Sequence, residues 1–152
     1  MHTYSHITVE PASRNCGAFI SGVDLKQPLS DGAVREIHMA LMRHQVIFFR
    51  DQDLTPQEQA DFAKRFGPLR VARRAAFETR DDSPEVSVIV NDRERPPYID
   101  HYHADGMFRA KPEFASVLKA EKPPALGGDT IFVSLTAAWN GLSDAMKTLL
   151  VD

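Results

Sequence analysis

The chain has 152 residues, with 18 basic against 21 acidic side chains, a formal net charge of −3 and 43% hydrophobic residues, the composition of a globular domain long enough to bury a core. A pI of about 6.1 gives no electrostatic case for nucleic acid or an anionic membrane as partner. No run approaches the roughly 20 apolar residues of a bilayer span, and the N-terminus lacks a basic region followed by an apolar run. Cys16 is the single cysteine, so no intramolecular disulfide can form and a reducing, cytoplasmic setting is expected.

Taken in order, residues 6–10 alternate and predict a short strand stopped by Pro11. Residues 17–25 read as extended, with glycines that permit a bulge or turn. Ser30 is placed as an N-cap with Asp31 in the first turn, and Val34, Ile37, Leu41 and Met42 recur at helical spacing, predicting an amphipathic helix over 31–44. Val46-Ile47-Phe48-Phe49 is a continuous apolar run and reads as a buried central strand. The next helix has the sharpest punctuation. Thr55 and Glu58 have capping-box spacing, Pro56 stands at the first helical position, and Gly67-Pro68 ends it. Ala60, Ala63 and Phe66 supply its apolar face.

From 69 to 83 periodicity is lost. Arg70, Arg73, Arg74 and Arg80 fall here, in either a solvated loop or a segment over a site that receives an anion, which the planar guanidinium fork suits. Residues 85–90 alternate toward a strand, and 91–98 form a loop. Residues 114–120 and 130–133 are strand candidates on either side of a turn bracketed by Pro123-Pro124 and Gly127-Gly128. Residues 135–141 and 144–150, the second capped by Ser143, read as short helices. Helices first and short strands later predict an α+β fold, as one domain over 1–152. The chain ends on an apolar helical run, Leu149-Leu150-Val151-Asp152, which is read as incompleteness at the C-terminus.

Chemistry concentrates in Asp100-His101-Tyr102-His103-Ala104-Asp105-Gly106-Met107-Phe108. On an extended segment His101, His103 and Asp105 share one face. Imidazole and carboxylate donors suit iron(II), manganese or zinc. The bland alternative is a polar loop. His103-Ala104-Asp105 has the form of the carboxylate half of a 2-His-1-carboxylate facial triad. A cupin-type site would need a Glu soon after the second His, where Met107 and Phe108 stand. Gly127-Gly128-Asp129-Thr130 is either a hairpin turn or a close-approach turn carrying a hydroxyl for a ligand carboxylate. Cys16, with no His or Asp partner nearby, reads as a buried structural thiol. No glycine-rich phosphate loop is present.

Five ordered blocks together resemble the taurine dioxygenase (TauD/TfdA-type) family of iron(II)/2-oxoglutarate-dependent oxygenases. They are residues 17–25 as its "GA.I.G.DL" segment, 43–52 as its "RHQV..F..Q" strand, 62–69 as "FA.RFG.L", 103–108 as the iron motif "H.D..F", and 127–130 as "GGDT". The resemblance runs from about Ile7 to Leu150. It implies a double-stranded β-helix (jelly-roll) with flanking helices. It implies His103 and Asp105 as iron ligands, no catalytic side chain beyond the ligands, and Thr130 as a hydroxyl to 2-oxoglutarate. Fe(II), 2-oxoglutarate and O2 would then be the cofactor and cosubstrates. His101 is not a family ligand.

Departures accompany it. The family's second iron-binding His and its 2-oxoglutarate-binding Arg lie downstream of "GGDT", and this chain ends at Asp152, so the expectation is the N-terminal portion of such an enzyme with little turnover by itself. Ile99 stands where the taurine enzymes place a substrate-binding Asn, and Arg70 where they place a substrate-contacting His. Arg70, Ile99 and Phe108 are the substrate-side candidates. The expected reaction is hydroxylation of a small anionic organic substrate with release of succinate and CO2. Exposed strand edges leave self-association open. Two rival readings stand: an inactive fragment or pseudoenzyme of the family, and a small unrelated metal-binding module using His101, His103 and Asp105 together.

Overall fold

A computed structural model describes residues 3–71, 78–80, 83–97 and 101–151, with only the backbone for 78–80. The chain divides into two compact units, one of Met1–Asp53 with Pro124–Asp152 and one of Leu54–Pro123.

The first unit is built on a three-stranded sheet of β1 (Thr8–Pro11), β2 (Ala18–Ser21) and β3 (Ile47–Phe49), in that spatial order. β1 pairs antiparallel with β2, and β2 parallel with β3. The parallel pair needs a crossover, and helix α1 (Asp31–His44) supplies it, packing on β2 and β3. Pro11 does not stop β1. It pairs with Ala18 as the last residue of an edge strand, where a missing N–H is tolerated. β3, expected to be central and buried, is half-buried and lies at the sheet margin among the described residues. Its Phe48 instead packs in an aromatic row, 5.6 Å from Phe19 and 5.9 Å from Phe132 between ring centroids.

α1 begins and ends where its punctuation places it. Ser30 Oγ accepts from the Ala33 N–H at 3.2 Å, and Gln45 closes the helix in the left-handed region at φ 68°, its N–H donating to the Leu41 carbonyl. The buried face, however, is Ala33, Glu36, Ile37 and Ala40, rotated from the expected stripe. Met42 is 60% exposed. The rotation follows from Glu36, whose charge hides its place in the core. Its Oε1 accepts from the Ser5 N–H at 2.8 Å and lies 2.9 Å from His6 Nδ1, and its Oε2 accepts from the N–H groups of His6 and Ile7 at 2.8 and 3.2 Å. Gly32, one turn earlier, leaves space for the His6 ring, which a Cβ there would meet at 2.5 Å.

The remainder of this unit carries α3 (Leu135–Asn140), capped by Ser134, and α4 (Asp144–Val151), capped by Ser143. Residues 130–133, expected as a strand, form none. Cys16 is half-buried rather than buried.

The second unit packs α2 (Pro56–Lys64) against β5 (Ser83–Val88), which pairs antiparallel with β4 (Glu78–Arg80). β4 falls inside the stretch read as a structureless loop; its three residues are too few for periodicity to reveal. Phe62, absent from the expected face of α2, is buried, and Phe66 stacks edge-on against it at 5.2 Å. Residues 114–120, expected as a strand, form none. Side chains hold the segment instead, Gln59 Nε2 donating to the Val117 carbonyl at 3.0 Å and Lys119 Nζ to the Leu54 carbonyl at 2.6 Å.

The capping box of α2 is fully formed. Thr55 Oγ1 accepts from the Glu58 N–H at 3.3 Å and Glu58 Oε2 from the Thr55 N–H at 2.7 Å. Thr55→Ala is expected to cost about 1 kcal/mol of helix stability, within a usual range of about 0.5–2. The measurement is amide hydrogen exchange along α2. Unchanged protection of its first turn would contradict the assignment.

Candidate functional site

The His-x-Asp motif lies in the Leu54–Pro123 unit. Its backbone is not the expected strand. Residues 105–108 turn, the Arg109 N–H donates to the Gly106 carbonyl at 3.0 Å, and Gly106 adopts φ 71°. A left-handed residue at 106 stops any extended run from continuing past Asp105, and glycine is the residue that takes it without strain. The residues after Asp105 therefore leave by a turn, not by an exit strand.

The turn still brings His103 and Asp105 together. His103 Nε2 lies 4.0 Å from Asp105 Oδ1. His103 Nδ1 donates to the His101 carbonyl at 3.1 Å. A carbonyl only accepts, so Nδ1 carries a proton, and Nε2 is the ring nitrogen turned toward Asp105. This is the arrangement of a metal-ligating histidine, whose other nitrogen is engaged by a backbone carbonyl. Two bonds of about 2.1 Å reach across 4.0 Å only with the angle at the metal opened far beyond the right angle of facial ligands, so the two side chains must draw closer to hold one ion; an imidazole with a carboxylate suits iron(II). The His101 ring stands 5.9 Å from that of His103, while the backbone carbonyl of His101 makes the orienting contact. Among the described residues no group of three His, Cys, Asp or Glu converges on one point.

Arg70 has a partner that chain order gave no hint of. Its guanidinium is ion-paired with Glu113 Oε1, and Arg109 Nε approaches the same oxygen at 3.7 Å. The Glu113 carboxyl is held below the ordinary range, first by its own backbone N–H and then by Arg70, against a smaller opposing effect of burial. Phe108 is 79% exposed, with the Arg109 guanidinium 4.8 Å from its ring centroid. Glu113 and Arg109 are absent from the sequence-derived candidates. Arg70 and Glu113 are separated by 43 positions, and only folding pairs them. Ile99, like Arg73 and Arg74, lies outside the described residues, and Arg80 is described by its backbone alone.

Thr130 belongs to the other unit. It is exposed and follows Gly127 and Gly128, both at φ 72°. A Cβ on Gly128 would meet Pro124 Cγ at 2.8 Å, so glycine is required there by space as well as by backbone angle.

Comparison with known proteins bears on this arrangement. A family model described as "Taurine catabolism dioxygenase TauD, TfdA family" matches residues 8–152. An alpha-ketoglutarate-dependent sulfate ester dioxygenase of Pseudomonas putida is 33% identical over 151 residues, covering 94% of this chain and 46% of that protein. An (S)-phenoxypropionate/alpha-ketoglutarate-dioxygenase of Sphingobium herbicidovorans is 30% identical over 141 residues, covering 91% and 49%. The crystal structure of a taurine dioxygenase from Burkholderia xenovorans superposes with a TM-score of 0.50 at 36% identity, over 53% of this chain and 28% of that one. The chain spans about half the length of the curated relatives it matches.

Proposed function

This chain belongs to the taurine catabolism dioxygenase TauD, TfdA family, and we propose on that premise that it is the N-terminal portion of an Fe(II)/2-oxoglutarate-dependent dioxygenase with a jelly-roll domain. The proposed reaction is hydroxylation of a small organic anion, with release of succinate and CO2. His103 and Asp105 donate to the metal, and Thr130 offers its hydroxyl to 2-oxoglutarate. The observation that carries the reading is the donor pair itself: Nε2 and Oδ1 4.0 Å apart, with Nδ1 already committed to the His101 carbonyl. When bound, Fe(II) supplies activation of O2 against the cosubstrate. The chain's own part is to fix the imidazole tautomer and to present the carboxylate beside it. An anionic substrate fits the partly exposed arginines 70 and 109, and both relatives are named for substrates that carry an acidic group.

The test is metal titration of the purified chain with Mn(II), an oxygen-stable probe, followed by water-proton relaxation. His103→Ala and Asp105→Ala should each weaken binding about tenfold or more, because each removes one of two donors. His101→Ala, which keeps the carbonyl that orients His103, should have a smaller effect. Equal losses for His101→Ala and His103→Ala would favour an unrelated metal module. No dependence on Asp105 would favour a pseudoenzyme.

A further inference from the structure

Met42 is left outside the core. Hydrophobic spacing puts it on the buried stripe of α1, yet that stripe is Ala33, Glu36, Ile37 and Ala40, and Met42 is 60% exposed. Met39, one turn earlier, is 39% exposed, and His38 beside it is exposed too. The three side chains line a single open groove with Arg43. Their spacing explains why. Met39 and Met42 are three positions apart and His38 and Met42 four. These are the separations at which helical side chains meet, with Cβ atoms roughly 5–6 Å apart. Long side chains on a helix lean back toward its N-terminus, which carries Met42 over the turn that holds His38 and Met39.

We propose that His38, Met39 and Met42 form a site for a soft monovalent metal ion, Cu(I), on the exposed face of α1. The site is independent of the oxygenase reading. Two thioethers and an imidazole are neutral, polarisable donors, and thioether sulfur selects Cu(I) over hard divalent ions. Charge favours the same ion. The exposed charged positions that flank the trio on α1 are Arg35 and Arg43, with Asp31 one turn beyond Arg35. Neighbouring cations penalise a divalent ion twice as strongly as a monovalent one. Unbranched methionine side chains also adjust readily to close on an ion. A docking surface for another protein would use the same methionines as apolar contact, and there the sulfur would not matter. Leucine in place of methionine therefore separates the two, since it removes a metal ligand and keeps an apolar surface of similar size.

The experiment titrates Ag(I), a redox-inert stand-in for Cu(I), into the 152-residue chain in chloride-free buffer. Cys16→Ser is the background, since the free thiol is a softer ligand and would capture the ion first. Binding is followed through the methionine ε-methyl resonances, of which the chain has five. Met39 and Met42 should shift together and saturate at one ion per chain, with the His38 ring moving alongside. Met107 is 65% exposed and has no second methionine within four positions. It is the internal control and should shift only at higher Ag(I). Met39→Leu, Met42→Leu and His38→Gln should each weaken binding about tenfold or more, because each removes one of three donors. Both methionines are exposed, so the leucine variants leave the core intact. Zn(II) should not move the Met39 and Met42 methyls. A response of Met107 in step with Met42 would reduce the binding to that of any exposed thioether and overturn the site. So would unchanged affinity in both leucine variants, which would leave the groove a plain apolar contact, or Zn(II) binding as tight as that of Ag(I).

Discussion

Ile37→Ala should lower the stability of the unit containing α1 by about 2–5 kcal/mol, the usual cost of a buried aliphatic truncation. Ile37 is 1% exposed and is the largest fully buried side chain among the described residues. The rest of that interface is made of small residues: Ala33 and Ala40 share its helix face, and Ala18 lies buried on β2, the strand under α1. Alanines have no rotamers with which to fill a void, so the cavity should persist and the cost should fall toward the upper part of the range. Met42→Ala, on the exposed face of the same helix, is the matched control and should stay within about 0.5 kcal/mol of wild type. Urea unfolding followed by the fluorescence of Trp139, the single tryptophan, reports on this unit, since Trp139 belongs to it. Equal losses for the two variants would mean that α1 presents the stripe expected from hydrophobicity, not the one observed.

That contrast shows which parts of the fold could be read in advance. α1 was legible to the residue, and α2 at its start, because Ser30 and the Thr55–Glu58 box are written locally; α2 ends at Lys64, short of the Gly67-Pro68 stop expected for it. The rotation of α1 was not, because Glu36 is a charged residue whose partners, Ser5, His6 and Ile7, lie 29–31 positions away. Strands fared worse for the same reason. Residues 114–120 and 130–133 have strand composition, but a strand exists only with a partner, and none is present for them among the described residues. β4 was missed because three residues carry no period. In the candidate site, His103 and Asp105 were legible as donor types at a telling spacing. The turn that follows was not, since it depends on the left-handed backbone of Gly106. Glu113 had no local signal at all. Its role arises from contact with Arg70, across 43 positions.

Acid should weaken the chain through Glu36, and a difference experiment can isolate the effect. Burial alone would raise this carboxyl. The His6 side chain and the N–H groups of Ser5 and His6 more than offset that, and hold it down from 4.5 to about 2. A carboxyl whose folded value lies below its unfolded value binds fewer protons in the folded state. Its stabilising contribution is complete above about pH 4.5 and is lost as the pH falls from there toward about 2. Glu36→Gln is a severe change for its size. Each carboxylate oxygen takes two contacts, so an amide must turn an NH2 toward groups that themselves donate. The variant should therefore unfold at markedly lower urea at pH 7, and exchange should accelerate at the amides of Ser5, His6 and Ile7. Asp92 and Glu113 are also depressed, by Arg95 and by Glu113's own backbone with Arg70, so both proteins will lose stability in acid. The diagnostic quantity is the gap between their urea midpoints, which should be widest above pH 5 and close toward pH 2. A gap that stayed constant across that range would show that the Glu36 carboxylate is not what fastens the N-terminal segment to α1.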